Sequence, residues 1–281
     1  MLEGRLIFDM TQIVNSYLVW HYGDNLIHLN FLRRLAVLHQ DIRFVHYCDP
    51  NQHAQLRPVI EDIPNIRLSA DALPPGAVNA WINFGANHGP GGWDGKGFLD
   101  RHPMRWDYVQ FHLDFFDGLA KRMGGFESPI KTPFDMLFDC PCIQKSHASN
   151  LDFDVLVINS RPCSGQLRCY THPYCMDHLI DRLARKGYRV AATAPTNVLG
   201  VFQTAAHNLT LVDIANLSLR TPYIVGVSTG PLWLTHSTFN LNTVKYRVVL
   251  LERQRVHLPG NGCHAENIDA AVEILQKQGI I

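Results

Sequence analysis

The run Tyr223-Ile224-Val225-Gly226-Val227 has no polar side and leads directly into Ser228-Thr229-Gly230-Pro231, followed by Leu232-Trp233-Leu234-Thr235-His236. A strand apolar on both faces has to be covered on both, which is the condition of a parallel sheet flanked by helices. The Gly-Pro pair after it predicts a tight turn opening into a helix. The N–H groups at such a helix start are unpaired and sit at the positive end of the macrodipole, so they can seat a phosphate or diphosphate. Many turns of this composition bind nothing, and both readings stand at this point.

The same alternation recurs on either side of a Pro-containing stretch. In the first block, a strand at 17–20 runs into His21-Tyr22-Gly23-Asp24-Asn25. A helix follows, with Leu26, Ile27, Leu29, Phe31, Leu32, Leu35 and Leu38 at helical spacing. Further strands are expected at 43–47 and 80–84, with helices at 52–60 and 108–123. The Gly-rich residues 85–97 read as a long loop, either an acceptor-binding loop or an insertion. Residues 126–150, with Pro129, Pro133 and Pro141, read as an interdomain linker.

In the second block, 154–159 and 188–194 read as strands around a helix at 177–186, which Gly187 closes. Helices are expected at 198–206 and 212–217, a strand at 244–251, and a terminal amphipathic helix at 265–278. That helix is expected to pack back towards the first block. The order predicts an α/β protein with two doubly wound, Rossmann-like parallel-sheet domains, 1–125 and 151–281, facing a cleft.

Bulk properties narrow the function classes. The 281 residues carry 25 Lys+Arg against 25 Asp+Glu, so the basic footprint of a nucleic-acid binder is missing. No apolar run approaches the roughly 20 residues that span a membrane. Met1-Leu2-Glu3-Gly4-Arg5 lacks the pattern of a signal peptide, and a cytoplasmic protein is expected. The odd cysteine count, seven, fits a reducing compartment. Cys140-Pro141-Cys142 is too tight for the usual zinc pair, and Cys163, Cys169 and Cys175 are spaced too widely, so neither metal nor disulfide is expected. His21, His28, His46, His88, His112 and His236 are scattered and read as structural or surface residues.

Two segments carry a family resemblance. Gly23-Asp24-Asn25-Leu26, leading through Leu29, Leu32, Arg33 and Leu35 to a strand at Phe44, resembles the opening of the heptosyltransferase-type glycosyltransferases of family 9, which have the GT-B fold. Leu211-Val212-Asp213-Ile214-Ala215-Asn216-Leu217, then a strand, then Thr229-Gly230-Pro231, is similar to that family's second half. Ser228 stands where the family usually has Asp, and His236 is shifted from its usual Gly-x-x-His spacing. The resemblance implies a soluble enzyme that moves a sugar from a nucleotide-sugar to an acceptor hydroxyl. It would act with inversion, with no metal and no cofactor beyond the nucleotide-sugar co-substrate.

Inverting transfer requires a base for the acceptor proton and positive groups for the leaving diphosphate. Asp24, after a Gly at a predicted strand-to-helix turn, is placed to project into the cleft, and the resemblance implies that it is the base. The alternative is an N-cap for a helix starting near Asn25. Ser228, Thr229 and the Gly230 amide are candidates for the diphosphate oxygens. Arg161, beyond the strand ending at Asn159-Ser160, is a candidate cation or a plain surface residue. Asp213 is a candidate ligand of the donor ribose, or simply favours its helix start. A glycan or other hydroxyl compound would be the acceptor. Loss of the acid at Ser228 keeps open a catalytically inactive relative that binds nucleotide-sugar or glycan as a scaffold. A nucleotide-sugar epimerase is a third reading.

Overall fold

The computed structural model describes residues 12–81 except 20, 108–162 except 146, 170–251 except 171 and 173, and 258–281. The first half comprises β1 (Gln12–Leu18), α1 (Tyr22–Leu38), β2 (Ile42–Cys48), α2 (Pro50–Leu56), β3 (Ile66–Ser69), β4 (Val78–Asn79) and α3 (Tyr108–Gly124). Its sheet is parallel, in the order β3-β2-β1-β4. The second half comprises β5 (Val155–Ile158), α4 (Asp177–Arg185), β6 (Val190–Ala192), β7 (Phe202–Gln203), α5 (Leu211–Ser218), β8 (Tyr223–Val227), α6 (Gly230–Leu234), β9 (Tyr246–Leu250), β10 (Gly262–Ala265) and α7 (Ile268–Lys277). Its six strands are also parallel, in the order β10-β9-β8-β5-β6-β7.

Two parallel sheets are therefore present, as the alternation predicts. The apolar strands behave as their composition requires: every residue of β5 is buried, with helices on both faces of the sheet. Gly187, with φ +91, ends α4 in the left-handed conformation expected after its last turn.

The halves meet through α1. Leu26, Leu29, Phe31, Leu32 and Leu35 are fully buried on it, and Asn25, His28, Asn30 and Arg33 are buried as well. A helix buried on so much of its circumference is covered from more than one side. α1 packs on β2 and β3 and also on α6, so that a single apolar cluster takes in Leu26 and Leu32 together with Leu211, Leu232 and Trp233. Burial of one such Leu or Phe contributes about 1.5–3 kcal/mol, so the contact between halves is a substantial part of the core.

The stretch expected to be a linker is packed against both halves. It forms three 3-10 turns, Pro133–Met136, Pro141–Lys145 and His147–Asn150. Asn30 Nδ2 donates to Met136 O at 3.1 Å, and Asn216 Nδ2 donates to Ile143 O at 2.7 Å. Phe138 N donates to His236 O at 2.8 Å.

Several elements differ from expectation. β3, at Ile66–Ser69, is a strand that the sequence pattern does not predict. The helix expected at 198–206 is instead a turn at Gly200, with φ +78, then β7 and the 3-10 turn Thr204–His207. The terminal helix starts later than expected, because residues from Gly262 to Ala265 pair with β9 and the Asn267 side chain caps α7, accepting from Ala270 N at 2.8 Å. α7 packs on β9 and β10 rather than on the first half. The strand expected at 80–84 ends earlier, as β4; residues from 82 onward, including the Gly-rich 85–97, lie outside the described residues.

Candidate functional site

In doubly wound sheets a crevice opens at the C-terminal ends of adjacent strands whose connections leave in opposite directions. In the first sheet the chain goes from β1 outward to β2 and β3, then returns to β4 on the other flank, so the reversal lies between β1 and β4. In the second, β5 leads outward to β6 and β7, and β8 opens the other wing, so the reversal lies between β5 and β8. The residues beyond these strand ends are His21–Asp24 and Ala80–Trp81 on one side, and Asn159–Arg161 and Ser228–Thr229 on the other. The fold brings the β1 and β8 turns against each other.

The contact is close. A Cβ added to Gly23 would lie 3.1 Å from Trp233 Cδ1 and 3.5 Å from Gly230 N. One added to Gly230 would lie 2.6 Å from Tyr22 Cβ. Backbone approaches backbone here, and only glycine leaves the room. Gly230 is thus buried beneath the start of α1, and its amide faces Gly23. Ser228 and Thr229 are only partly buried at the rim of this seam. Thr229 is the N-cap of α6, but its hydroxyl donates to Val227 O at 3.3 Å rather than capping the helix. Arg161 is exposed.

Asp24 lies three positions beyond the cap. The N-cap of α1 is His21, so Asp24 is the third helical residue, in the first turn, where its charge favours the macrodipole. Burial pushes its carboxyl up from 3.8 to about 6, while the charge of His21 and a hydrogen bond from Trp81 oppose the rise. A carboxyl held there is ionised at neutral pH yet basic enough to take a proton.

Behind it, a buried polar chain anchors the helix. Asn25 Nδ2 donates to Gln52 Oε1 at 2.8 Å and to His21 O at 3.2 Å, which leaves Asn25 Oδ1 to accept from His46 Nε2 at 2.9 Å. His46 Nδ1 then accepts from Ser16 Oγ at 3.0 Å, and Ser16 Oγ accepts from His28 Nε2 at 3.1 Å. Desolvation drives His46 down to about 3 and His28 well below its usual value, so both rings are neutral. These two histidines are structural, as expected from the sequence. His88 lies outside the described residues. His21 belongs to the site through its charge on Asp24, and Trp81 joins it as well. Trp81 falls within the strand expected at 80–84, and the long-range pairing of β1 with β4 that places it is not written in local periodicity.

Asp213 is committed to its own helix. It is the third residue of α5, and its carboxylate accepts from Thr210 N at 2.9 Å and Thr210 Oγ1 at 2.7 Å, forming a capping box. The start of α5 faces the first half, where Leu211 N donates to Gln55 Oε1 at 3.1 Å. The site residues thus fall into two groups: Asp24, Ser228, Thr229 and Gly230 are brought to one seam, with Arg161 beyond the neighbouring strand, while Asp213 stands at the start of α5.

Cys163 and Cys169 lie outside the described residues, whereas Cys140, Cys142 and Cys175 are free thiols. No helix among the described residues is long and apolar enough to cross a membrane.

What these observations define is a class: an α/β protein of two parallel sheets with their switch points apposed. No protein-family model matches the sequence, and no curated protein matches it. Solved structures do. The chain is similar to the E. coli heptosyltransferase WaaC with ADP, at 13% identity over 96% of this chain and 98% of that one, with a TM-score of 0.48. It is similar to the family 9 glycosyl transferase of Veillonella parvula DSM 2008, at 12% identity over 97% and 92%, with a TM-score of 0.47. A third is the iron-containing dodecameric glycosyltransferase TibC of enterotoxigenic E. coli H10407, at 18% identity and a TM-score of 0.49; 85% of this chain is covered, but only 59% of TibC.

Proposed function

We propose that this protein transfers a sugar from a nucleotide-sugar donor to an acceptor hydroxyl, with inversion and without a metal ion. The observation that carries the reading is the apposition of the two switch points, with the Asp24 carboxylate on one side and Ser228, Thr229 and Arg161 on the other. The acceptor O–H would give its proton to Asp24 while its oxygen bonds to the anomeric carbon. The bond from that carbon to the phosphate oxygen breaks, and the nucleoside diphosphate leaves with the electron pair. Arg161 and the two hydroxyls would stabilise the charge that develops on it. Because Gly230 is sealed by α1, the side chains of Ser228 and Thr229 replace its amide as the diphosphate's contacts in this reading. Asp213 contributes through the placement of α5.

One observation favours a second reading, a binding protein without turnover: the covered Gly230 amide, together with Ser228 in place of an acid. Two measurements separate them. A thermal-shift series with nucleoside diphosphates and nucleotide-sugars reports binding, since a ligand of the native state raises its stability. Release of nucleoside diphosphate in the presence of hydroxyl acceptors reports transfer. Binding with turnover that is lost in Asp24→Asn supports the enzyme; binding without turnover across acceptors supports the scaffold; no binding removes both.

A further inference from the structure

Beside β9 and β10 of the second sheet lies a cavity of about 370 Å³, bordered by Pro133, His236, Arg247, Val249 and Leu258. Arg247 is the second residue of β9, opposite Ile224 of β8, whereas the seam described above lies beyond Val227 at the far end of the same strands. The residue as a whole is 7% exposed. Nη2 donates to Thr235 O at 2.9 Å, just past the end of α6, and Nε has no hydrogen-bond partner. Among the described residues no Asp or Glu pairs with it, and burial alone lowers its pKa, to about 10. It therefore stays protonated at neutral pH.

Arg33, buried to a similar degree on α1, shows what a structural buried arginine looks like in this chain: it is paired with Asp62 and lies 3.6 Å from Asp139. Arg247 has no such counter-charge among the described residues. Its neighbour His236 supplies none, since Nδ1 is held by Leu232 O at 3.1 Å and both burial and Arg247 disfavour the charged ring. One bond to the carbonyl after a five-residue helix is a small return for an ion whose desolvation is among the larger costs in a fold. A charge left uncompensated at the wall of a cavity that a small molecule can enter is a site for an anion.

We propose that this cavity binds the carboxylate of a small organic acid, the Arg247 guanidinium meeting the carboxylate and Val249, Leu258 and Pro133 enclosing an apolar body. The charge count selects the class. Among the described residues that border the cavity the one charged side chain is the Arg247 guanidinium, which neutralises a monocarboxylate, whereas a phosphate dianion would keep an unpaired charge against these apolar walls and a neutral histidine. The site is separate from the proposed transfer site and does not depend on it.

The test is titration calorimetry on the full chain with sodium butyrate, sodium benzoate and inorganic phosphate. One saturable site for a monocarboxylate, with phosphate weaker, is expected. Arg247→Met should abolish it. Arg247→Lys keeps the charge but loses the fork, and should weaken it by about tenfold. Leu258→Trp fills the cavity with Arg247 in place and should also abolish binding, which decides the question if Arg247→Met does not fold. Asp24→Asn should bind the carboxylates like the wild type. The proposal is overturned by the absence of saturable carboxylate binding to the wild type, by binding that survives Arg247→Met or Leu258→Trp, or by phosphate binding as tightly as the carboxylates.

Discussion

Replacing Asp24 by Asn separates the roles that this residue can have, because each predicts a different sign. Burial holds the Asp24 carboxyl at about 6, against 3.8 for the free group. A carboxyl raised in the folded state imposes no ionisation penalty below the unfolded value, where both states are protonated. The penalty grows as pH rises from about 4 to about 6 and is constant above that. Two pKa units correspond to about 3 kcal/mol; because the side chain is partly exposed, solvent screening reduces this to about 1–2 kcal/mol. Asn keeps the size but carries no charge. Urea unfolding should therefore find Asp24→Asn more stable than wild type by about 1–2 kcal/mol at pH 8, with the difference vanishing near pH 4. In parallel, transfer should fall by about 10²–10⁴-fold, and the wild-type rate should rise with pH through about 6 as the carboxylate forms. A variant that is less stable at pH 8, or equally shifted at pH 4 and pH 8, would show that the carboxylate is not desolvated and that its contribution is to the helix start. Normal transfer by the variant would remove it as the base.

Three further outcomes follow from the geometry. Gly230→Ala places a methyl 2.6 Å from Tyr22 Cβ, so it should destabilise the protein by about 1–3 kcal/mol in chemical denaturation; an unchanged midpoint would mean that the two turns are not in contact. Ser16→Ala removes the hydroxyl shared by His28 and His46 and should cost about 1–3 kcal/mol, read by the same method, with a smaller loss indicating that water replaces it. Arg161→Ala, at an exposed position, should leave thermal stability unchanged and weaken nucleoside diphosphate binding by about tenfold in calorimetry; unaltered affinity would make it a plain surface residue.

Much of the architecture was legible because it rests on local pattern. The unbroken apolar runs at 155–158 and 223–227 required a sheet covered on both faces, and Leu26, Leu29, Leu32 and Leu35 marked α1 by their spacing. Gly187 marked the end of α4 through a conformation that other residues rarely adopt. β10 was hidden for the opposite reason: Gly262-Cys263-His264-Ala265 has no pattern of its own and becomes a strand because β9 offers it an edge. The apposed turns could be picked out one at a time as Gly23-Asp24 and Thr229-Gly230.

What local sequence could not carry was the relation between them. Gly230 reads as a phosphate turn in isolation, and it is the packing of α1 that makes it a point of backbone contact. The charge on Asp24 is set by how little water reaches it, and the lowered pKa of Arg247 by its burial. Periodicity and turn chemistry act between residues a few positions apart and so are written along the chain. Desolvation, close approach and the pairing of charges depend on distances between residues far apart in sequence, and only the folded chain sets those.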